Sequence, residues 1–280
     1  MSDSLPLVIE PKALASRLEE RNLLIIDLSK PQIFMQAHLP GAVAVDFRRL
    51  QRTGSPVPGL IPGHLEMEAL LSEIGLTPDR HVVAYDDEGG GWAGRFLWLL
   101  ETIGHRHYSY LNGGIHAWVD DELPIKSGSP SRRPQATEYR FEELDSSTHV
   151  DLEYLLAHHK DPDVVVWDAR SFEEYAGIQI IAHNGGHIPG AVHFEWTSAL
   201  DQGRSLRIRD RGTLLKELAI LGITPDKEVI THCQTHHRSG LTWLVGRLLG
   251  FPRIRAYPGS WAEWGNTLDA PYQQEQVRIA

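Results

Sequence analysis

Short apolar runs separated by longer amphipathic segments recur along the chain. Val164–Trp167 and Glu228–Thr231 are brief and rich in β-branched residues, as strands buried on both faces are. Leu214–Leu221 and Leu241–Leu249 carry apolar residues at helical spacing. This alternation predicts an α/β fold with mostly parallel sheets. In such sheets, functional residues lie beyond the carboxyl ends of strands. The most apolar stretches, Leu23–Ile26 and Phe96–Leu100, fall far short of the ~20 residues a bilayer span needs, so no membrane association is expected.

The pattern repeats. Residues 74–79 read I-G-L-T-P-D and residues 221–226 read L-G-I-T-P-D, an offset of 147. His38-Leu39-Pro40-Gly41-Ala42 returns as His187-Ile188-Pro189-Gly190-Ala191, and Leu24-Ile25-Ile26-Asp27 as Val165-Val166-Trp167-Asp168. Asn112-Gly113-Gly114 with Trp118 matches Pro258-Gly259-Ser260 with Trp264. Matches in the same order mark a duplicated domain. The halves expected are residues 1–125 and 146–280, joined by a linker over 126–145. Its start, Lys126–Pro134, is rich in Gly, Ser, Pro and charge, as exposed linkers are.

Composition narrows the function. The 280 residues are 41% hydrophobic and 23% charged, which is ordinary for a globular protein with a full core. A net charge of −10 argues against nucleic-acid binding, which needs a basic face. Met1–Pro6 lacks the basic start and apolar run of a secretory signal. With a single cysteine, no intramolecular disulfide can form, so the chain is expected to be cytoplasmic, reduced and free to react at Cys233.

That cysteine stands in T-H-C-Q-T-H-H-R-S-G, Thr231–Gly240, between an expected strand and an expected helix. The tract Cys233–Arg238 contains no proline, so every residue offers a backbone N–H. Successive N–H groups in a tight turn bind anions, and a following helix N-terminus adds to the effect. Such surroundings, with a permanently charged Arg238, favour thiolate over thiol. Against this stand an inert buried cysteine and a zinc site built from His232, Cys233, His236 and His237. Adjacent pairs point their side chains apart, and no second Cys/His cluster completes a tetrahedral set. A phosphatase loop is the remaining alternative, but four residues separate Cys233 from Arg238 where that loop has five.

Asp168-Ala169-Arg170, Glu174-Tyr175, Gly186-His187-Ile188-Pro189-Gly190-Ala191 and the six-residue Cys loop together resemble the rhodanese family of sulfurtransferases. The resemblance covers essentially the whole chain. The loop Cys-Gln-Thr-His-His-Arg is similar to that of bacterial tandem-domain members. The resemblance implies two tandem modules, each a five-stranded parallel sheet flanked by helices. It makes Cys233 the nucleophile and Gln234, Thr235, His236, His237 and Arg238 the substrate-binding residues. Thiosulfate would be the small anionic sulfur donor and a thiophile such as cyanide the acceptor, with no metal or cofactor. The shorter loop suits a single sulfur atom where the longer one suits phosphate. Two alternatives are 3-mercaptopyruvate as donor and a persulfide carrier that hands sulfur to a partner protein.

At offset 147, Asp86 falls opposite Cys233, so the N-terminal half is expected to be catalytically silent. Its Gly89–Gly94 stretch fits no dinucleotide fingerprint; the rival reading is a separate ligand site. Arg204, Arg207, Arg209 and Arg211 are expected to form a solvated loop interleaved with Asp201 and Asp210. Trp196 could wall the site, but a core position is the expectation. Asp168 and Arg170 are expected to pair structurally. His38 and His187 sit in equivalent turns of both halves, which argues for structure over catalysis.

Overall fold

The computed structural model describes residues 5–52, 54–129 and 134–275; of the expected linker, residues 130–133 lie outside these. The chain divides into two compact units that alternate along the sequence. The first takes in the described parts of Met1–Thr53 and Ile61–Asp145 together with Leu200–Ile208. The second takes in Gly54–Leu60, Ser146–Ala199 and the described part of Arg209–Ala280.

In the first unit, strands β1 (Val8–Ile9), β2 (Leu23–Asp27), β3 (Val43–Ala44), β4 (His81–Tyr85) and β5 (Tyr108–Leu111) form a parallel sheet in the order β1-β5-β4-β2-β3. Helices α1 (Pro11–Ala15), α2 (Pro31–Gln36), α3 (His64–Glu73), α4 (Gly91–Thr102) and α5 (Gly114–Asp120) connect them. Four of the five residues in β2 and in β4 are buried, the continuous burial of parallel strands covered on both faces. Ile25, Val83, Tyr85, Leu111 and Trp118 form the core.

An antiparallel pair, Leu200–Asp201 with Arg207–Ile208, completes this unit. Its Arg207 side chain is 9% exposed and reaches Asp121 at 2.9 Å and Glu10 at 3.2 Å. Arg209 pairs with Glu217 at 2.6 Å, and Arg211 donates to the Leu249 carbonyl at 3.2 Å, both within the second unit. Of the expected solvated cluster, Arg204 and Arg211 are exposed and Arg209 is half-buried, so the expectation is corrected at Arg207, which is buried. Asp201 and Asp210 are engaged locally instead, each accepting a nearby N–H as a cap.

In the second unit, β6 (Val164–Asp168), β7 (Val192–His193), β8 (Glu228–His232) and β9 (Ile254–Ala256) form a parallel sheet ordered β9-β8-β6-β7. Helices α6 (Leu152–His158), α7 (Phe172–Ala176), α8 (Arg211–Ile220), α9 (Arg238–Leu249) and α10 (Ser260–Trp264) accompany it. The strand order repeats that of the first unit, but this sheet has four strands where five were expected. The missing edge shrinks to one parallel bridge, His149 with Ala256. A 3-10 turn at Ser146–Thr148 ends just before it, and Asp151 caps α6 just after it, accepting from the Tyr154 N–H at 2.8 Å. No length remains for an extended run.

The duplicated His-x-Pro-Gly-Ala turns are structural in both units. His38 donates from Nδ1 to the Phe34 carbonyl at 2.8 Å and stacks on the Phe34 ring at 4.0 Å. His187 repeats this with the Tyr175 carbonyl at 2.9 Å and the Tyr175 ring at 3.8 Å. Gly41 and Gly190 follow with φ of 78° and 80°, left-handed backbone that favours glycine.

Candidate active site

Strand β8 delivers Cys233 to the carboxyl end of the second sheet, and α9 begins five residues later at Arg238. Two loop carbonyls point outward: Trp261 N–H donates to Cys233 O at 3.0 Å and Ala262 N–H to Gln234 O at 2.9 Å. With those carbonyls tied to α10, the N–H groups of Thr235 and Ser239 turn to the Cys233 sulfur, joined by the Ser239 hydroxyl. The cradle is incomplete as a ring of amides. The His236 N–H goes instead to Ser260 Oγ at 3.0 Å.

Cys233 is 1% exposed. The sulfur lies at the floor of the loop rather than open to solvent, so burial alone would favour the neutral thiol. That burial is the largest influence on it and pushes the thiol up. Arg238, the Ser239 hydroxyl and the two N–H donors outweigh burial, and the pKa falls below its ordinary value. An inert core cysteine would show the opposite shift.

Arg238 is held by a residue that the sequence marked only as part of a motif. Glu174 takes its guanidinium in a fork, at 2.5 Å and 2.9 Å, from α7. Burial raises the Glu174 carboxyl, but Arg238 pulls its pKa below the ordinary value. The signal available beforehand was Ser171-x-x-Glu174, a capping box. It gives Glu174 a local task and hides the long-range one.

The other loop residues divide by depth. Gln234, Thr235, His237 and Arg238 are partly exposed and form the rim, whereas His236 is fully buried with Nδ1 2.7 Å from Ser239 Oγ. Trp196, expected in the core, is half-buried with its ring 6.1 Å from that of His237, so it flanks the rim. Gly59 packs against the back of the loop. A Cβ there would lie 2.8 Å from the Thr235 carbonyl oxygen and 2.3 Å from that of Pro258.

Beside the loop, Arg170 clasps Asp168 through Nε at 2.9 Å and Nη2 at 2.6 Å, both side chains essentially buried. This is the expected structural pair. Although burial opposes it, Arg170 and then His232 hold the Asp168 carboxyl well below the usual carboxylate range. His232 lies 3.5 Å from Asp168, and burial lowers its own pKa. Thus His232, His236 and His237 turn to different partners. Among the described residues, no group of three or more His, Cys, Asp or Glu side chains is arranged to hold a metal ion.

The first unit carries the same loop with different chemistry. Asp86 follows β4 as Cys233 follows β8, and it is fully buried. Its Oδ1 accepts from the N–H groups of Glu88, Gly89 and Gly90 at 3.0, 3.1 and 2.8 Å, and its Oδ2 from Ala93 at 3.0 Å. The amides of the glycine run are taken by the chain's own carboxylate. Asp87 and Glu88 pair with Lys30 at 3.3 Å and 2.9 Å.

A buried cysteine with its pKa held below the ordinary value, at the strand ends of one copy of a duplicated α/β unit, fits the class of cysteine-based group-transfer proteins. The comparisons make the class definite. The Rhodanese-like domain model matches residues 10–121 and again 151–267, so the chain belongs to the rhodanese family, with two such domains. It is 49% identical over 269 residues to a thiosulfate sulfurtransferase from Pseudomonas aeruginosa, covering 96% of this chain and 97% of that protein. It is 48% identical over 272 residues to one from Azotobacter vinelandii, covering 96% and 98%. Among solved structures, YnjE shares the fold at a TM-score of 0.87 and 20% identity, covering 97% of this chain and 71% of that one.

Proposed function

We propose that this chain is a thiosulfate sulfurtransferase that carries sulfur as a persulfide on Cys233. The supporting observation is the pairing of a buried sulfur with the N–H groups of Thr235 and Ser239 beside Arg238, which lowers its pKa against the pull of burial. The names of the relatives at 48–49% identity agree with it.

In the first half-reaction, the Cys233 thiolate attacks the outer sulfur of thiosulfate. The S–S bond of the donor breaks, its electron pair leaves with sulfite, and Cys–S–S⁻ remains. In the second, cyanide or another thiophile attacks the terminal sulfur, takes it as thiocyanate or its analogue, and returns the thiolate. Dividing the transfer through a covalent intermediate gives ping-pong kinetics. Preorganised N–H donors serve the anionic states on both sides, as they serve an oxyanion. Gln234, Thr235, His237 and Arg238 form the rim through which donor and acceptor reach the sulfur.

Intact-protein mass spectrometry after thiosulfate treatment tests this. One added sulfur is expected, removed by cyanide and absent in Cys233→Ala. Comparing kcat/KM for thiosulfate and 3-mercaptopyruvate decides the donor: a preference for 3-mercaptopyruvate would overturn the thiosulfate assignment while leaving the persulfide step intact.

A further inference from the structure

Behind the nucleophile, three buried groups stand in line. Cys233 is 1% exposed, and Ser239 and His236 are not exposed at all. The Ser239 hydroxyl is among the groups that lower the Cys233 thiol, and His236 Nδ1 lies 2.7 Å from that hydroxyl oxygen.

A serine hydroxyl has one proton to give and lone pairs to accept with. If that proton points to the sulfur, Nδ1 must carry hydrogen and donate to the oxygen. If it points to Nδ1, the oxygen turns lone pairs toward the thiolate and disfavours it. A charged acceptor makes the stronger bond, so the first arrangement is the one a thiolate selects. The state of one imidazole nitrogen thus decides whether Ser239 helps or hinders the nucleophile.

We propose that His236 is a positioning residue: its Nδ1–H holds the Ser239 oxygen so that the Ser239 proton is aimed at the Cys233 sulfur. This extends the reading of Cys233 as nucleophile and gives His236 a task other than touching substrate.

The backbone supports the assignment independently. His236 has φ of 53°, left-handed backbone that non-glycine residues seldom adopt. Its N–H donates to Ser260 Oγ at 3.0 Å, and Ser260 Oγ donates to the Tyr257 carbonyl at 2.9 Å, which fixes the turn. Glycine would take this conformation at lower cost. A histidine placed there, with its ring buried on Ser239, is held for what the ring does.

Other charged and titratable groups lie around the site. Arg238 with Glu174 comes from α9 and α7, and Asp168 with Arg170 and His232 from the ends of β6 and β8. None of these lies between His236 and Ser239.

The experiment is the pH dependence of Cys233 alkylation by iodoacetamide in the full chain, which needs no sulfur donor. His236→Gly keeps the backbone conformation and removes the ring. His236→Asn keeps both the conformation and a donor at the Nδ1 position. The first is expected to raise the alkylation midpoint by about 0.5–1 pH unit, and the second to restore it to within about 0.2. Ser239→Ala is expected to raise it as much, with no further rise when His236→Gly is added. An unshifted midpoint in His236→Gly, a shift that persists on the Ser239→Ala background, or failure of Asn to rescue would each overturn the proposal. Should His236→Gly fail to fold, His236→Gln replaces it, since its amide reaches past the Nδ1 position; the same rise is expected, and no rise overturns the relay. An unchanged midpoint sinks the relay alone, whereas a missing persulfide after thiosulfate treatment sinks the transfer reaction alone.

Discussion

Asp86 and Cys233 hold the same post in their two units. Each is the first residue after a five-residue central strand, and each accepts backbone N–H groups from the turn that leads into a twelve-residue helix. One copy places a fixed carboxylate on these N–H groups; the other places a thiol sulfur, the atom proposed to take up and release the transferred sulfur. On that proposal, a silent and an active half differ by the resident group within one inherited turn.

Replacing Asp86 with alanine leaves four N–H groups, three of them buried, without their acceptor. We expect a loss of about 2–4 kcal/mol in stability by denaturant unfolding. Sulfur transfer per folded molecule should stay at the wild-type level. Turnover lost at temperatures where the fold is intact would mean that the first unit takes part in catalysis.

Arg238 and Glu174 should act on the sulfur in opposite directions. Arg238→Ala removes the cation that offsets burial, so the alkylation midpoint rises and the rate near pH 7 falls about tenfold. Glu174→Gln frees the guanidinium from its carboxylate, so the midpoint falls by a few tenths of a unit. A rise in both variants would show that Arg238 works only when Glu174 holds it in place.

Asp27 and Asp168 end equivalent strands and should respond to pH with opposite sign. Burial raises Asp27 to about 6, despite hydrogen bonds from the Tyr85 hydroxyl and Ser29. A raised carboxyl stabilises the fold below its unfolded pKa and loses that contribution as pH rises through the folded value. Asp27→Asn should therefore gain about 1–3 kcal/mol over wild type at pH 8 relative to pH 4. Asp168, held low by Arg170, contributes above the ordinary carboxylate range and loses that only as pH falls toward its folded value. Asp168→Asn should cost about 3–5 kcal/mol at neutral pH, because Arg170 is left buried without its counter-charge. Matching pH responses in the two variants would contradict these environments.

Gly59 supplies a test of the loop's backing. Any Cβ at this position meets the carbonyl oxygens of Thr235 and Pro258, and backbone cannot yield as a flexible side chain does. Gly59→Ala should cost about 1–3 kcal/mol and lower kcat/KM about tenfold or more. Full activity would show that the loop tolerates displacement at Thr235.

What could be read beforehand followed from short-range chemistry. The duplication, the strands β6 and β8, the strand-to-helix turn at Cys233, the Asp168–Arg170 clasp and the paired His38 and His187 turns are all written in adjacent residues or in repetition. What was hidden depends on contacts between distant segments. Nothing near Arg238 names Glu174, sixty-four positions earlier, and nothing in the sequence around Gly59 shows that it backs the Cys loop. The choice between core and wall for Trp196 is not legible for the same reason, since indole suits both until its neighbour is known. His236 is expected among the substrate-binding residues, and its burial is not legible because composition does not reveal backbone sign. Only a φ of 53° turns it inward. The fifth strand of the second sheet failed because a turn and a helix cap crowd one residue of edge, a matter of register.

On the proposed mechanism, Cys233 becomes the sulfur carrier before any acceptor arrives. Rapid mixing of the protein with thiosulfate alone, with sulfite followed by time, measures this directly. A burst of one equivalent of sulfite per chain, abolished in Cys233→Ser, is the expected result. Sulfite that appears only when cyanide is also present, or a burst that survives the substitution, would contradict the account.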